Sequence, residues 1–293
     1  SGERLPGRKG TGKVVFAKPW SFKKFVSLFA PEKAQRLSSI DYQHVNQAWL
    51  DDQTLDLTSE WTSYLLTGGF PRCIAEYRTH ETLSDATFKV YTDWIMGVWS
   101  KQRTPERSLR ELASRLCRSL NSRTSYEAIG KGTDIRSPNT IRALLELQED
   151  HFTIRTCSRY DLDSGGFMPA KQRKYYPIDS FIATVWALIG KRVLRNYAQD
   201  LPQLQLAETS FFVQTLRSEN QPDVGYLYRS KSKGEVDFYF DNCAFELKSK
   251  GSPSNAQREI LLDCDQAFVL KENQVPIMAF LIGENESAKL SSI

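Results

Sequence analysis

The stretch from Gly234 to Ser249 constrains the fold more than any other part of this chain. Val236, Phe238 and Phe240 alternate with Asp237 and Tyr239, the period-two pattern of a half-buried strand. Asp241-Asn242 supplies the turn chemistry of a tight hairpin. From Ala244 to Lys248 the alternation resumes, with Phe245 and Leu247 on one face and Glu246 and Lys248 on the other. The result is an aspartate on one strand, a glutamate on its neighbour and a lysine two residues on, an Asp-x(8)-Glu-x-Lys pattern.

That pattern suits phosphodiester hydrolysis. Convergent carboxylates are hard oxygen ligands for Mg²⁺ or Mn²⁺, and a metal held by them acidifies an attacking water and neutralises charge on the phosphorane. Lys248 shares a strand face with Glu246, where it would orient that water or stabilise the charge. The alternative is a polar outer face on an ordinary hairpin. The upstream aspartate at strand spacing favours the chemistry.

Tyr228-Arg229, Gly234-Glu-Val-Asp-Phe238 and Phe245-Glu-Leu-Lys-Ser249 resemble the C-terminal end of a bacterial and archaeal family of AAA+-type ATPases. Members of that family carry a winged helix and a restriction-endonuclease-like PD-(D/E)XK domain. They place a helical glutamate upstream of the aspartate, in a Leu-x-Glu-x-x-x-Val-x-x-x-Leu context. Leu206-Ala-Glu208 through Val213 to Leu216 approximates it, with Glu-x(4)-Val in place of the usual spacing. The resemblance implies that Asp237, Glu246, Lys248 and Glu208 are the catalytic residues. It implies that Asp237, Glu246 and the Leu247 carbonyl bind Mg²⁺ or Mn²⁺, with Glu208 contributing directly or through water.

The same family explains the start of the chain. Gly7-Arg-Lys-Gly-Thr-Gly-Lys13 fits Gly-x(4)-Gly-Lys, but Val14 stands where a phosphate loop needs Ser or Thr, so no nucleotide-binding residues are assigned. Leu5-Pro-Gly-Arg8, Pro19-Trp-Ser-Phe22 and Phe25 instead match the segment that follows the family's nucleotide-binding core. The chain therefore resembles the C-terminal part of an ATPase-nuclease, with the ATPase core upstream or on a partner chain, and with homo-oligomerisation open. ATP hydrolysis is not expected from this chain alone.

The expected fold class is α+β and multi-module. Residues 1–105 form a helical lid-like bundle, 106–179 a winged helix-turn-helix, and 180–293 a small α/β restriction-endonuclease-like domain. In the first module Ser21 caps a helix with Phe22, Phe25, Val26 and Phe29 on one stripe, further helices are expected at Tyr42–Leu50 and Thr58–Leu66, and Gly68-Gly-Phe-Pro71 joins two helices. A long aromatic helix follows over Leu83–Trp99. In the second, helices over Leu109–Leu120, Ser125–Ile129 and from Ser137 onwards precede wing strands at Phe152–Arg159 and Lys174–Pro177. Arg136, Asn139, Thr140 and Arg142 lie at the start of the recognition helix, and Lys171 and Arg173 in the wing; all six are candidates to touch DNA phosphates or base edges. A winged helix used for protein packing is the alternative. The third module has a helix over Ser180–Tyr197, strands at Val224–Tyr228 and Ala267–Leu270, a helix at Asn255–Leu262 carrying Gln257 or Arg258 towards substrate, and a last strand at Pro276–Ile282.

Composition bounds the rest. Hydrophobic content of 40% and charged content of 25% describe a globular chain, and no apolar run is long enough to span a membrane. The five cysteines are scattered without Cys-x-x-Cys spacing and the three histidines are dispersed, which argues against a zinc site or a disulfide framework and suits a reducing cytoplasm. Net charge is only +4, but seven basic residues between Lys101 and Arg123 face just Glu106 and Glu111. Such a run is either a solvated helix face or a nucleic-acid surface. Two functions remain: a metal-dependent DNA endonuclease module coupled to a winged helix, or a catalytically inactive DNA- or protein-binding regulatory module of an AAA+ ATPase.

Overall fold

In a computed structural model of the chain, residues 18–100, 102, 104–191, 203–217 and 223–283 are described. The fold is mixed α/β. Short helices come first: α1 (Phe22–Phe29), α2 (Pro31–Leu37), a 3₁₀ turn (Tyr42–His44), α3 (Gln47–Asp51), α4 (Thr58–Thr67) and α5 (Pro71–His80). The long α6 (Asp85–Ser100), α7 (Glu106–Arg118), α8 (Tyr126–Gly130) and α9 (Pro138–Asp150) follow. Strands β1 (Ile154–Asp161) and β2 (Gly166–Pro177) precede α10 (Ser180–Lys191) and α11 (Gln203–Thr215). The chain then runs through β3 (Gly225–Arg229), β4 (Gly234–Phe240), β5 (Cys243–Lys248), α12 (Asn255–Leu262), β6 (Gln266–Lys271) and α13 (Val275–Ile282).

Among the described residues the six strands make one sheet, in the order β2-β1-β3-β4-β5-β6. Strand β1 pairs antiparallel with β2 and parallel with β3, through Ser158–Gly225, Arg159–Tyr226 and Tyr160–Leu227. The expected wing strands are therefore the outer strands of the sheet that carries the hairpin, and the boundary expected between 179 and 180 cuts through this sheet. Their connection is also shorter than the gap left between the strands expected at Phe152–Arg159 and Lys174–Pro177, because β1 and β2 extend to Asp161 and Gly166.

Two large apolar clusters divide the molecule differently from the three consecutive modules. One joins Phe22, Phe25, Trp61 and Tyr64 near the start to Phe211, Phe238, Phe245, Phe268 and Phe280 near the end. The other runs from Cys73 through Trp99, Leu112, Ile141 and Tyr175 to Trp186. The physical cause of the first is the apolar stripe of α1. Ser21 Oγ caps that helix by accepting from Lys24 N–H (3.1 Å), and Phe22, Phe25 and Val26 are all buried. Burying each such side chain contributes about 1.5–3 kcal/mol, and Phe22 N–H also donates to Gln214 Oε1 of α11 (2.9 Å).

A buried carboxylate ties the two clusters together. Asp179 accepts from Gly69 N–H and Phe181 N–H, each at 2.9 Å, and pairs with Arg217 at 3.4 Å. Gly69 has to be glycine, because a Cβ there would stand 2.0 Å from the Trp20 carbonyl oxygen. Burial pushes the Asp179 carboxyl above the usual range, and Arg217 and the two backbone donors oppose that shift.

Two local expectations differ from the structure. Pro276–Ile282 is the helix α13, with proline in its first turn and every residue from Val275 to Ile282 buried. A run buried on all sides carries no periodicity to separate helix from strand. Tyr42–Leu50 is split into a 3₁₀ turn and α3, because Asp41 and Asn46 each cap a separate start. The helix expected over Ser180–Tyr197 is described only to Lys191, and the residues carrying the Leu5-Pro-Gly-Arg8 and Gly7–Lys13 motifs lie outside the described residues.

Candidate active site

The hairpin forms as its sequence dictates. Asp241 and Asn242 adopt φ of 48° and 61°, the left-handed pair of a tight hairpin turn, and Tyr42 Oη donates to Asp241 Oδ2 at 2.6 Å. Strand β4 pairs with β5 through Phe238–Phe245, Tyr239–Ala244 and Phe240–Cys243. On its other edge β4 carries a bulge. Leu227 stands opposite Val236 and Gly225 opposite Tyr239, so Asp237 and Phe238 together face the single residue Tyr226. The bulge thus falls at Asp237 and Phe238, next to the candidate centre.

Asp237 has two different partners. Its Oδ2 accepts from Leu247 N–H at 3.0 Å, and its Oδ1 accepts from Lys174 Nζ at 3.2 Å. Glu246 on β5 is buried; its Oε1 pairs with Lys248 Nζ (2.7 Å) and accepts from Gln257 Nε2 (2.5 Å), while its Oε2 is buried with no hydrogen-bond partner. Gln257 also completes the capping box of α12, accepting from Ser254 N–H, and donates to the Glu235 carbonyl (2.9 Å). The helix start is thereby fastened to the Glu246 carboxylate.

Glu208 reaches the cluster from α11, with Oε1 accepting from Tyr176 Oη at 2.7 Å and Lys174 Nζ at 3.4 Å. Lys174 Nζ also lies 2.9 Å from Glu235 Oε1. Arg123 binds the other Glu235 oxygen and sets its guanidinium 3.5 Å from the Tyr228 ring centroid. Four carboxylates thus meet three cations: Glu208, Glu235, Asp237 and Glu246 against Arg123, Lys174 and Lys248.

Electrostatics follow from burial. Desolvation, aided by the Asp237 charge, pushes the Glu208 carboxyl up to about 8 and that of Glu246 up to about 7. Burial alone pulls the Lys174 ammonium down, but Glu208, Asp237 and Glu235 together outweigh it and hold it well above its usual value.

The four sequence-predicted catalytic residues are brought together, and Gln257 rather than the exposed Arg258 faces them. Lys174, Tyr176, Glu235 and Arg123 were missed. Lys174 belongs to the basic run of the expected wing, and only the parallel pairing of β1 with β3 carries it to the carboxylates. The donor set fits a hard divalent cation in one respect: Glu246 Oε2 is an orphaned buried acceptor beside Asp237 and the Leu247 peptide. Among the described residues no three His, Cys, Asp or Glu side chains form a group that could hold a metal, so Glu208 does not complete a three-carboxylate cage.

The DNA-contact candidates gather elsewhere. Ser137 caps α9, leaving Arg136, Asn139 and Arg142 exposed and Thr140 half-buried, while Arg142 pairs with Glu146 at 2.7 Å. Arg173 lies over the Tyr126 ring of α8 at 4.6 Å and binds its hydroxyl, and the Arg142 charge also senses Tyr126. The Lys171 side chain lies outside the described residues. Two of the four arginines on α7 are paired locally, Arg107 with Glu111 and Arg110 with Glu106, as on a solvated helix face. A groove of about 470 Å³ opens between the ends of β1 and β3 and α12, and Arg159 Nε and Ser232 Oγ, from two of its lining residues, are buried polar atoms without partners. None of the four carboxylates lines it.

No helix among the described residues is long and apolar enough to cross a membrane. No curated protein and no solved structure matches the chain. Residues 58–194 match a domain of unknown function, DUF8612. That match runs from α4 to just past α10, crosses both expected module boundaries, and includes Lys174 and Tyr176 but none of Glu208, Asp237, Glu246 and Lys248.

Proposed function

We propose that the chain is a metal-dependent DNA endonuclease module of restriction-endonuclease-like type, coupled to a winged helix formed by α7, α8, α9 and the β1–β2 hairpin. The observation that carries this reading is the hairpin centre. Asp237 and Glu246 come from adjacent strands, Lys248 is bound to Glu246, and one buried Glu246 oxygen is left unpartnered. Asp237, Glu246 and the Leu247 carbonyl would hold Mg²⁺ or Mn²⁺. Once bound, the ion supplies an acidified water and neutralises charge on the phosphoryl group.

The chain's own groups do the rest. Lys248, anchored at 2.7 Å to Glu246, hydrogen-bonds and orients the attacking water. Gln257 fixes the Glu246 rotamer from the first turn of α12. Strand β2 links the two functions, since alternation along a strand turns neighbouring side chains to opposite faces. Arg173 goes to Tyr126 beside the α9 start, and Lys174 goes to the carboxylates. The groove lined by Arg159, Arg229 and Lys231 offers basic side chains to a phosphodiester strand running past α12. The resemblance implies an ATPase core upstream or on a partner chain, and the scattered cysteines suit a reducing cytoplasm.

A second reading has its own support. Lys174 already pairs with three of the carboxylates, as a silent centre kept for its fold would require, in a DNA- or protein-binding regulatory module. Cleavage of single- and double-stranded DNA with Mg²⁺ or Mn²⁺ separates the two. The native chain is expected to cut, with Asp237→Asn and Lys248→Ala each losing about 100-fold or more. Cutting that survives both substitutions would place the chemistry elsewhere. Salt-sensitive DNA binding without cutting selects the regulatory module.

A further inference from the structure

The carboxylate cluster contains a cation that belongs to the chain itself. Lys174 Nζ lies 2.9 Å from Glu235 Oε1, 3.2 Å from Asp237 Oδ1 and 3.4 Å from Glu208 Oε1, and its side chain is 1% exposed. An ammonium has three N–H donors, and these three carboxylates, from α11 and β4, use them all. We propose that Lys174 is the resident second cation of the centre, so that the site takes a single divalent ion on the Asp237–Glu246 side and excludes a second from the space between Glu208, Glu235 and Asp237. The proposal rests on the metal-dependent reading above.

Three observations carry it. The acceptors are divided between two sides. Asp237 Oδ1 and Glu208 Oε1 are committed to Lys174, and Tyr176 Oη donates to that same Glu208 oxygen. On the other side Glu246 Oε2 remains buried and unpartnered. Next, the point on which Glu208, Glu235 and Asp237 converge is occupied by the Lys174 ammonium, and among the described residues no three His, Cys, Asp or Glu side chains form a group that could hold a metal. Finally, Lys174 is fixed and not a passing surface charge. The antiparallel register of β2 puts it opposite the buried Cys157, and the buried Tyr176 follows it on the same strand face. A like-charge cluster this buried requires compensation, and a lysine built into the strand provides it without any bound ion.

Mn²⁺ binding to the full chain, counted by calorimetric titration and by electron paramagnetic resonance of the free ion, tests this. The wild-type protein is expected to bind one ion. Lys174→Ala, which opens the space and removes the charge, is expected to bind two, and adding Glu208→Gln to it returns the count to one. Two ions on a wild-type protein that cleaves DNA overturn the proposal and leave the nuclease reading standing. A wild-type protein that binds none overturns both. A folded Lys174→Ala variant that still binds one also overturns it. The wild-type count needs no variant, so it decides the matter even if Lys174→Ala fails to fold.

Discussion

Glu208 and Glu246 store the pH response of the centre. Both carboxyls are raised from an ordinary 4.5, to about 8 and about 7, because burial disfavours their charged forms. A raised folded-state value means that the folded chain holds protons the unfolded chain has already released. Stability from these groups is therefore full below about pH 4.5 and is lost as pH rises through 7 and then 8. The metal-free protein is expected to melt lower at about pH 8.5 than at about pH 5.5, read as Tm by differential scanning calorimetry. Glu208→Gln keeps an acceptor for Tyr176 and cannot ionise, so it flattens that dependence. An unchanged pH profile in this variant would show that Glu208 carries none of it.

At the level of elements, the close approach of α7 and α10 builds the second apolar cluster. Gly190 makes it possible, since a Cβ there would lie 2.6 Å from Ser114 Cα, a backbone atom that cannot swing aside. Gly190→Ala is expected to cost about 1–3 kcal/mol in urea unfolding, through displacement of α10 from α7. Trp99 and Trp186, packed edge to face at 5.0 Å, report the same displacement as a change in tryptophan fluorescence. The capped helices were legible because their signals are local: Ser21, Ser125, Ser137 and Ser254 each accept a backbone N–H at the start of their helix. The identity of α13 was not, because an element buried all round shows neither the helical nor the strand period. The bulge at Asp237 was equally hidden, since residues 236–240 alternate regularly and the extra residue exists only relative to β3.

Across the whole molecule, the proposed DNA face and the proposed cutting centre share strand β2. Binding through exposed Arg136, Asn139 and Arg142 and the neighbouring Arg173 is expected to weaken steeply with salt. Arg136→Ala should lower the slope of log K against log salt by about one if that side chain meets a phosphate. Fluorescence anisotropy of labelled duplex DNA over a salt series measures it, and an unchanged slope removes Arg136 from the interface. Arg142 is partly held by Glu146, so its loss should change affinity less.

The hairpin, its turn and the face shared by Glu246 and Lys248 are legible from neighbouring residues alone, because alternation and turn chemistry act between neighbours along the chain. Glu208, and the pair Gln257 or Arg258, were also nominated from sequence, although not their partners. Long-range packing alone sets the strands before α10 in the hairpin's sheet, brings α1 and α13 into one core, and puts Lys174 among the carboxylates. Those outcomes depend on pairings between residues far apart in sequence. Parallel strand pairing and the burial of a charge among opposite charges leave no local period from which they could be read.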